Sequence, residues 1–166
     1  MEQECLSNSK KSAESERDGF LIDIIEVRLT VYGEPVPKSR PRVTRNHTYT
    51  PVRTVNQEKK IALAYKSVYH GFMFAKGVPL RLEVDFYVGV PKSDSKKLKQ
   101  KKMCGDIRPT KVPDLDNEQK LVQDALNQVA FYDDSQIVES VGRKFYSDNP
   151  RTEIKIIKIG GGNGDR

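Results

Sequence analysis

The alternation of Leu80, Leu82, Val84, Phe86, Val88 and Val90 with Arg81, Glu83, Asp85, Tyr87 and Gly89 constrains the fold of this chain more than any other feature. A period of two sends the apolar set to one side of an extended strand and the polar set to the other. Pro91 closes the run. Ile25, Val27, Leu29 and Val31 alternate in the same way with Glu26, Arg28, Thr30 and Tyr32, and Gly33 ends that strand. Two more strands are expected over Ile137 to Tyr146 and Thr152 to Ile159, joined by the turn-like tetrad Ser147-Asp148-Asn149-Pro150.

Between these strands the apolar spacing changes from two to that of a helix. Ile61, Leu63, Ala64, Val68, Phe72 and Ala75 form one stripe, predicting a helix over Val55 to Ala75. Leu121, Val122, Ala125, Leu126 and Val129 form another, on a helix starting at Asp114 or Leu115. The resulting order β-α-β-α-β-β is that of an α+β fold: a small mixed β-sheet with helices on one face. At 166 residues one compact domain is expected, over residues 21–159. Residues 1–20 are polar enough to form a mobile arm, and 160–166 a glycine-rich tail.

The net charge of +6 has a local origin. Between Pro91 and Pro113, Lys92, Lys96, Lys97, Lys99, Lys101, Lys102, Arg108 and Lys111 face only Asp94 and Asp106, in what reads as a lysine-rich loop. Such a segment can simply keep a protein soluble, or it can track a phosphate backbone. A second basic loop, Gly33 to Pro51, carries Lys38, Arg40, Arg42, Arg45 and His47 around Pro35, Pro37 and Pro41. Arg40 and Arg42 suit phosphate, because a guanidinium fork can bind two oxygens at once. Two cysteines allow neither a disulfide framework nor a Cys-rich zinc site, and a reducing, cytoplasmic setting fits. No apolar run approaches the ~20 residues that span a bilayer.

The acids are concentrated too. Asp114, Asp116, Asp124, Asp133 and Asp134 lie within one short stretch together with Lys120. Clustered carboxylates are what hard divalent cations require, and beside a basic surface they suggest metal-assisted phosphodiester chemistry. Asp116, Lys120 and Asp124 are spaced to share one helix edge, where they can also form a plain salt-bridge ladder. Asp116 to Gln119 has the D-x-x-Q spacing of a capping box, and taken alone PDLDN reads more readily as a cap than as a metal site. An acidic pair just before a strand, Asp133-Asp134, is placed to bring a third carboxylate back toward the helix N-terminus.

The runs VPDLDNEQKLVQDAL and FYDDSQI, with GEPVPKSRPRVT and TYTPVRT upstream, resemble the RusA family of Holliday junction resolvases. The resemblance extends from about Glu26 to Ile157. It implies a homodimeric endodeoxyribonuclease of DNA recombination and repair, dependent on Mg2+ with Mn2+ as a substitute, that acts on branched, four-way DNA and is often carried by a prophage. The family's catalytic, metal-binding aspartates fall on Asp114, Asp116 and Asp134, with Asp133 as the alternative to Asp134, and its catalytic lysine on Lys120. Asp124 and Asn117 would support them, Asp124 by positioning Lys120 or a water. DNA contacts are expected from Lys38, Arg40, Arg42, Lys96, Lys97, Lys99, Lys101 and Lys102. Two other classes compete: a DNA-binding module whose acids are structural, and a transferase using Asp114 and Asp116 for a nucleotide diphosphate. The second lacks a nucleotide-binding glycine loop that opens a helix.

Overall fold

The computed structural model describes residues 25–39, 42–43 and 48–160. The expected arm and nearly all of the tail lie outside it, as do Arg40, Arg45 and His47.

The elements are β1 (Glu26–Tyr32), β2 (Arg42–Val43), β3 (Thr48–Tyr49), α1 (Val52–Tyr69), β4 (Leu80–Gly89), α2 (Lys96–Met103), α3 (Leu115–Leu126), a 3-10 turn (Asp134–Gln136), β5 (Ile137–Ser147) and β6 (Arg151–Lys158). The predicted strand–helix order is present, and the mixed sheet has the order β1-β6-β4-β5. β6 pairs antiparallel with both β1 and β4, while β4 and β5 are parallel. The tetrad after Ser147 therefore does not make a hairpin. It crosses the end of β4 and delivers β6 to the far side, with Val90 N donating to Ser147 O and Gly33 N to Pro150 O.

The alternation that defines β4 is realised as burial. Leu80, Leu82, Val84 and Phe86 are at most 1% exposed, and Val27, Leu29, Val31, Ile154 and Ile156 continue the same face on β1 and β6. Each such side chain contributes about 1.5–3 kcal/mol over its exposed state. α1 and α3 cover this face through Ile61, Tyr65, Leu121, Val122, Ala125 and Leu126. Tyr69 ties α1 to β1, its hydroxyl donating to Arg28 O and accepting from Arg28 N. The other face of the sheet is open and charged, with Arg143 bridging Asp85 and Glu83, and Lys155 paired with Glu26.

Three expectations need correction. α1 stops at Tyr69 rather than Ala75, because His70 and Gly71 turn left-handed with φ of 48° and 87°. α3 stops at Leu126, since Asn127 is extended and Gln128 has a φ of 59°. The lysine-rich loop contains a helix, α2, capped by Ser95 Oγ accepting from Leu98 N. Lys, Leu and Gln favour helix, but one leucine per two turns leaves no stripe to read. Among the described residues no helix is long and apolar enough to cross a membrane.

Candidate active site

Asp114 precedes α3 in the N-cap position, and is extended at φ −72° and ψ 142°. Its carboxylate does not cap the helix. Asp116 follows in the first turn, where the positive end of the helix dipole favours carboxylates. Both acids are exposed, and among the described residues no side chain is bonded to either. Lys120 stands one turn along, exposed and without an ion pair among the described residues. Two unengaged carboxylates and an ammonium at one helix end form a donor set suited to a hard cation beside a phosphate.

The supporting residues behave differently from expectation. Asp124 does not position Lys120; its Oδ2 lies 2.7 Å from Lys38 Nζ. Lys38 also donates to Glu58 Oε1 at 2.6 Å, and its backbone N–H donates to Asn117 O. Burial works to lower the Lys38 ammonium, yet the bonds and charges of Asp124 and Glu58 outweigh it and hold its pKa above the ordinary lysine value. Lys38 thus clasps the loop after β1 to α1 and α3, and is not a free phosphate contact. Lys102 is corrected in the same way: it is buried, paired with Asp94 at 2.6 Å and set over the Tyr146 ring. Lys96, Lys97 and Lys101 are exposed on α2, while Lys99 donates to Lys92 O. Arg42 enters only as a backbone position of β2.

The capping box sits elsewhere than its first D-x-x-Q match. Asp133 Oδ1 accepts from Ser135 N at 2.9 Å, and Gln136 Oε1 accepts from Tyr132 N and Asp133 N. The Ser135 bonds hold the Asp133 carboxyl below its usual range. Gln136 Nε2 donates onward to Ala75 O and Val78 O, fixing the turn to the core. Gln119, the other candidate, instead donates to Ser140 Oγ and lies where a Cβ on Gly142 would sit, so α3 approaches β5 closely there.

Asp134 does not reach the helix N-terminus. β5 runs back along α3, with Ser140 near Gln119 and Gln123, and Lys144 bonded to Pro113 O just ahead of Asp114. The turn that opens β5 therefore lies at the C-terminal end of α3, about 15 Å of helix away from Asp116. Accordingly, no group of three or more His, Cys, Asp or Glu among the described residues is placed to hold a metal ion.

Sequence reasoning missed Glu118. It is fully buried, neither carboxylate oxygen has a hydrogen-bond partner among the described residues, and burial pushes its pKa up to about 7 against the opposing charge of Lys144. The signal was present, since the stripe Leu121, Val122, Ala125 extended back one turn lands on position 118.

The Endodeoxyribonuclease RusA family matches residues 32–157. The chain is 40% identical over 139 residues to the uncharacterized protein YqaN of Bacillus subtilis (strain 168), covering 80% of this chain and 96% of that protein. It is also 37% identical over 87 residues to the crossover junction endodeoxyribonuclease rusA of Lactococcus phage r1t, covering 52% of this chain and 60% of the phage protein. The match begins at the last residue of β1 and takes in β4, β5 and nearly all of β6 together with the acidic head of α3, and the chain belongs to the RusA endodeoxyribonuclease family and is an enzyme that cuts DNA.

Proposed function

We propose that this enzyme resolves four-way DNA junctions in recombination and repair by Mg2+-dependent hydrolysis of paired phosphodiesters. It acts as a homodimer in which each site combines Asp114, Asp116 and Lys120 of one protomer with Asp134 of the other. The observation that carries the dimeric site is the separation along α3: family-aligned acids that must act together stand at opposite ends of a 12-residue helix. A two-fold partner is the economical way to join them, and paired cuts on opposed strands call for the same symmetry. The name of the phage relative supports the junction as substrate.

Members of this family depend on a divalent metal, and Mg2+ when bound would polarise the scissile phosphate and acidify a water. Asp114 and Asp116 would hold it, their oxygens left available because neither caps α3. Lys120, a compact charge on the same helix side as Asp116, would face the phosphate oxygens as negative charge gathers on them. Asp133 is committed to its cap, which leaves Asp134 as the third carboxylate.

Asp116→Asn and Asp134→Asn test the composite site. Each variant alone should be inactive while still folding. Co-refolded, their mixed dimers contain one intact site, so they should nick a synthetic junction in Mg2+ without paired cleavage. Mixed dimers visible by native mass spectrometry that cut nothing would place all three acids within one protomer. Wild-type cleavage of linear duplex as fast as of junctions would overturn the substrate assignment.

A further inference from the structure

We propose that the open groove leading away from Asp114, with a volume of 480 Å³, holds the DNA strand on one side of the cut, and that Arg108 and Lys111 contact its phosphodiesters. The proposal rests on the nuclease reading above and names the path of its substrate. Arg108, Lys111, Arg143 and Lys144 line the groove, and Asp114 is its one acid. A polyanion running from a metal-bound phosphate would meet four positive charges in succession.

Two of the four cations have internal duties. Lys144 Nζ donates to Lys111 O at 2.9 Å and Pro113 O at 2.7 Å, which fastens the segment ahead of Asp114 to β5. Arg143 lies 3.2 Å from Asp85 on the open sheet face. They hold the groove in shape and add to its field. Arg108 and Lys111 have no such commitment, since neither side chain makes a hydrogen bond or ion pair among the described residues and both are exposed.

Arg108 does have one support, an aromatic ring. Its guanidinium carbon lies 3.7 Å from the centre of the Phe145 ring. Phe145 is stacked on Tyr87 at 5.1 Å, and Tyr87 carries Arg151 on its other side at 3.8 Å. A guanidinium lying flat on a ring keeps its in-plane N–H donors free. A fork supported on a ring, with unused donors, is suited to a phosphodiester, and loses less entropy on binding one than an unsupported side chain would.

The test measures binding of fluorescent four-way junction and linear duplex in EDTA as salt rises from 50 to 200 mM. Arg108→Ala/Lys111→Ala should flatten the log–log salt dependence by about 1.8, from ~0.9 for each phosphate no longer neutralised. Lys111→Ala alone should give about half of that with an unchanged melting temperature. Lys59→Ala/Lys66→Ala on the exposed surface of α1 removes the same charge, and should leave the slope nearly as it was. Methylphosphonates placed one at a time beside the cut should weaken wild-type binding at one or two positions, to which the double variant is indifferent. An unchanged slope, or an equal loss in the α1 variant, would overturn the groove assignment. Equal wild-type affinity for junction and duplex would instead count against the junction as preferred substrate, while the slope comparison on duplex still decides the groove.

Discussion

Asp133 and Asp134 are adjacent in sequence, but the turn engages Asp133 through its bonds to Ser135 and Gln136, so only the second acid is free of the cap. Glu118 is a second case in which position outweighs residue type. A carboxyl with titration near 4.5 when unfolded and about 7 when folded makes stability fall with pH. Below 4.5 both states hold the proton and nothing is lost. Between 4.5 and 7 the unfolded chain releases a proton that the native state keeps, and above about 7 the loss is complete, at about 3 kcal/mol. Glu118→Met keeps the volume and removes the titration. Thermal melts at pH 5 and pH 8 should show the variant gaining most at pH 8, and an equal shift at both would mean that the carboxyl is hydrated.

Among the elements, α2 shows how a helix can form without a stripe. Its cap is Ser95, and its one buried lysine, Lys102, is neutralised by Asp94 and laid over Tyr146 of β5. The remaining charge points outward at Lys96, Lys97 and Lys101. Replacing these three with Ala should leave the fold intact, because surface changes of this kind usually fall within ±0.5 kcal/mol. The salt slope of DNA binding should drop by up to ~0.9 for each phosphate that they contact. Lys102→Ala should do the reverse, lowering the melting temperature with little effect on the slope. Equal salt slopes for the triple variant and wild type would make α2 a solubility feature and leave DNA binding to other surfaces.

For the whole molecule, one-sided coverage of the sheet has a direct consequence. α1 and α3 bury one face, and the other keeps its Arg, Lys, Glu and Asp in mutual ion pairs rather than in a second core. Each pair of this kind contributes only ~0.2–1 kcal/mol, so stability rests on the single apolar layer. Activity, on the composite-site proposal, rests on association. Single-turnover cleavage should fall on dilution in step with the dimer fraction measured by sedimentation. A monomer that retains the full rate would mean that Asp134 reaches Asp114 and Asp116 by a rearrangement within one chain.

Much of this was legible in the residues. Period-two runs located β1 and β4, the turn-like tetrad separated β5 from β6, and the period near 3.6 located α1 and α3, because burial on one side of a strand or helix leaves its spacing in the sequence. PDLDN and DDSQ, with their neighbours, identified the family. The tertiary structure decided what depends on contacts between distant segments. β6 lies between β1 and β4 because the apolar faces of Ile154 and Ile156 meet Leu29, Val27, Val84 and Leu82 there, a pairing that no local spacing records. Lys38 and Lys102 look like any other basic residues until Asp124, Glu58 and Asp94 are brought beside them. D-x-x-Q occurs twice, and only the backbone's path shows that it caps at Asp133 and not at Asp116. A pattern of burial is written along the chain, but the partner that satisfies a charge or a hydrogen bond is chosen by the fold.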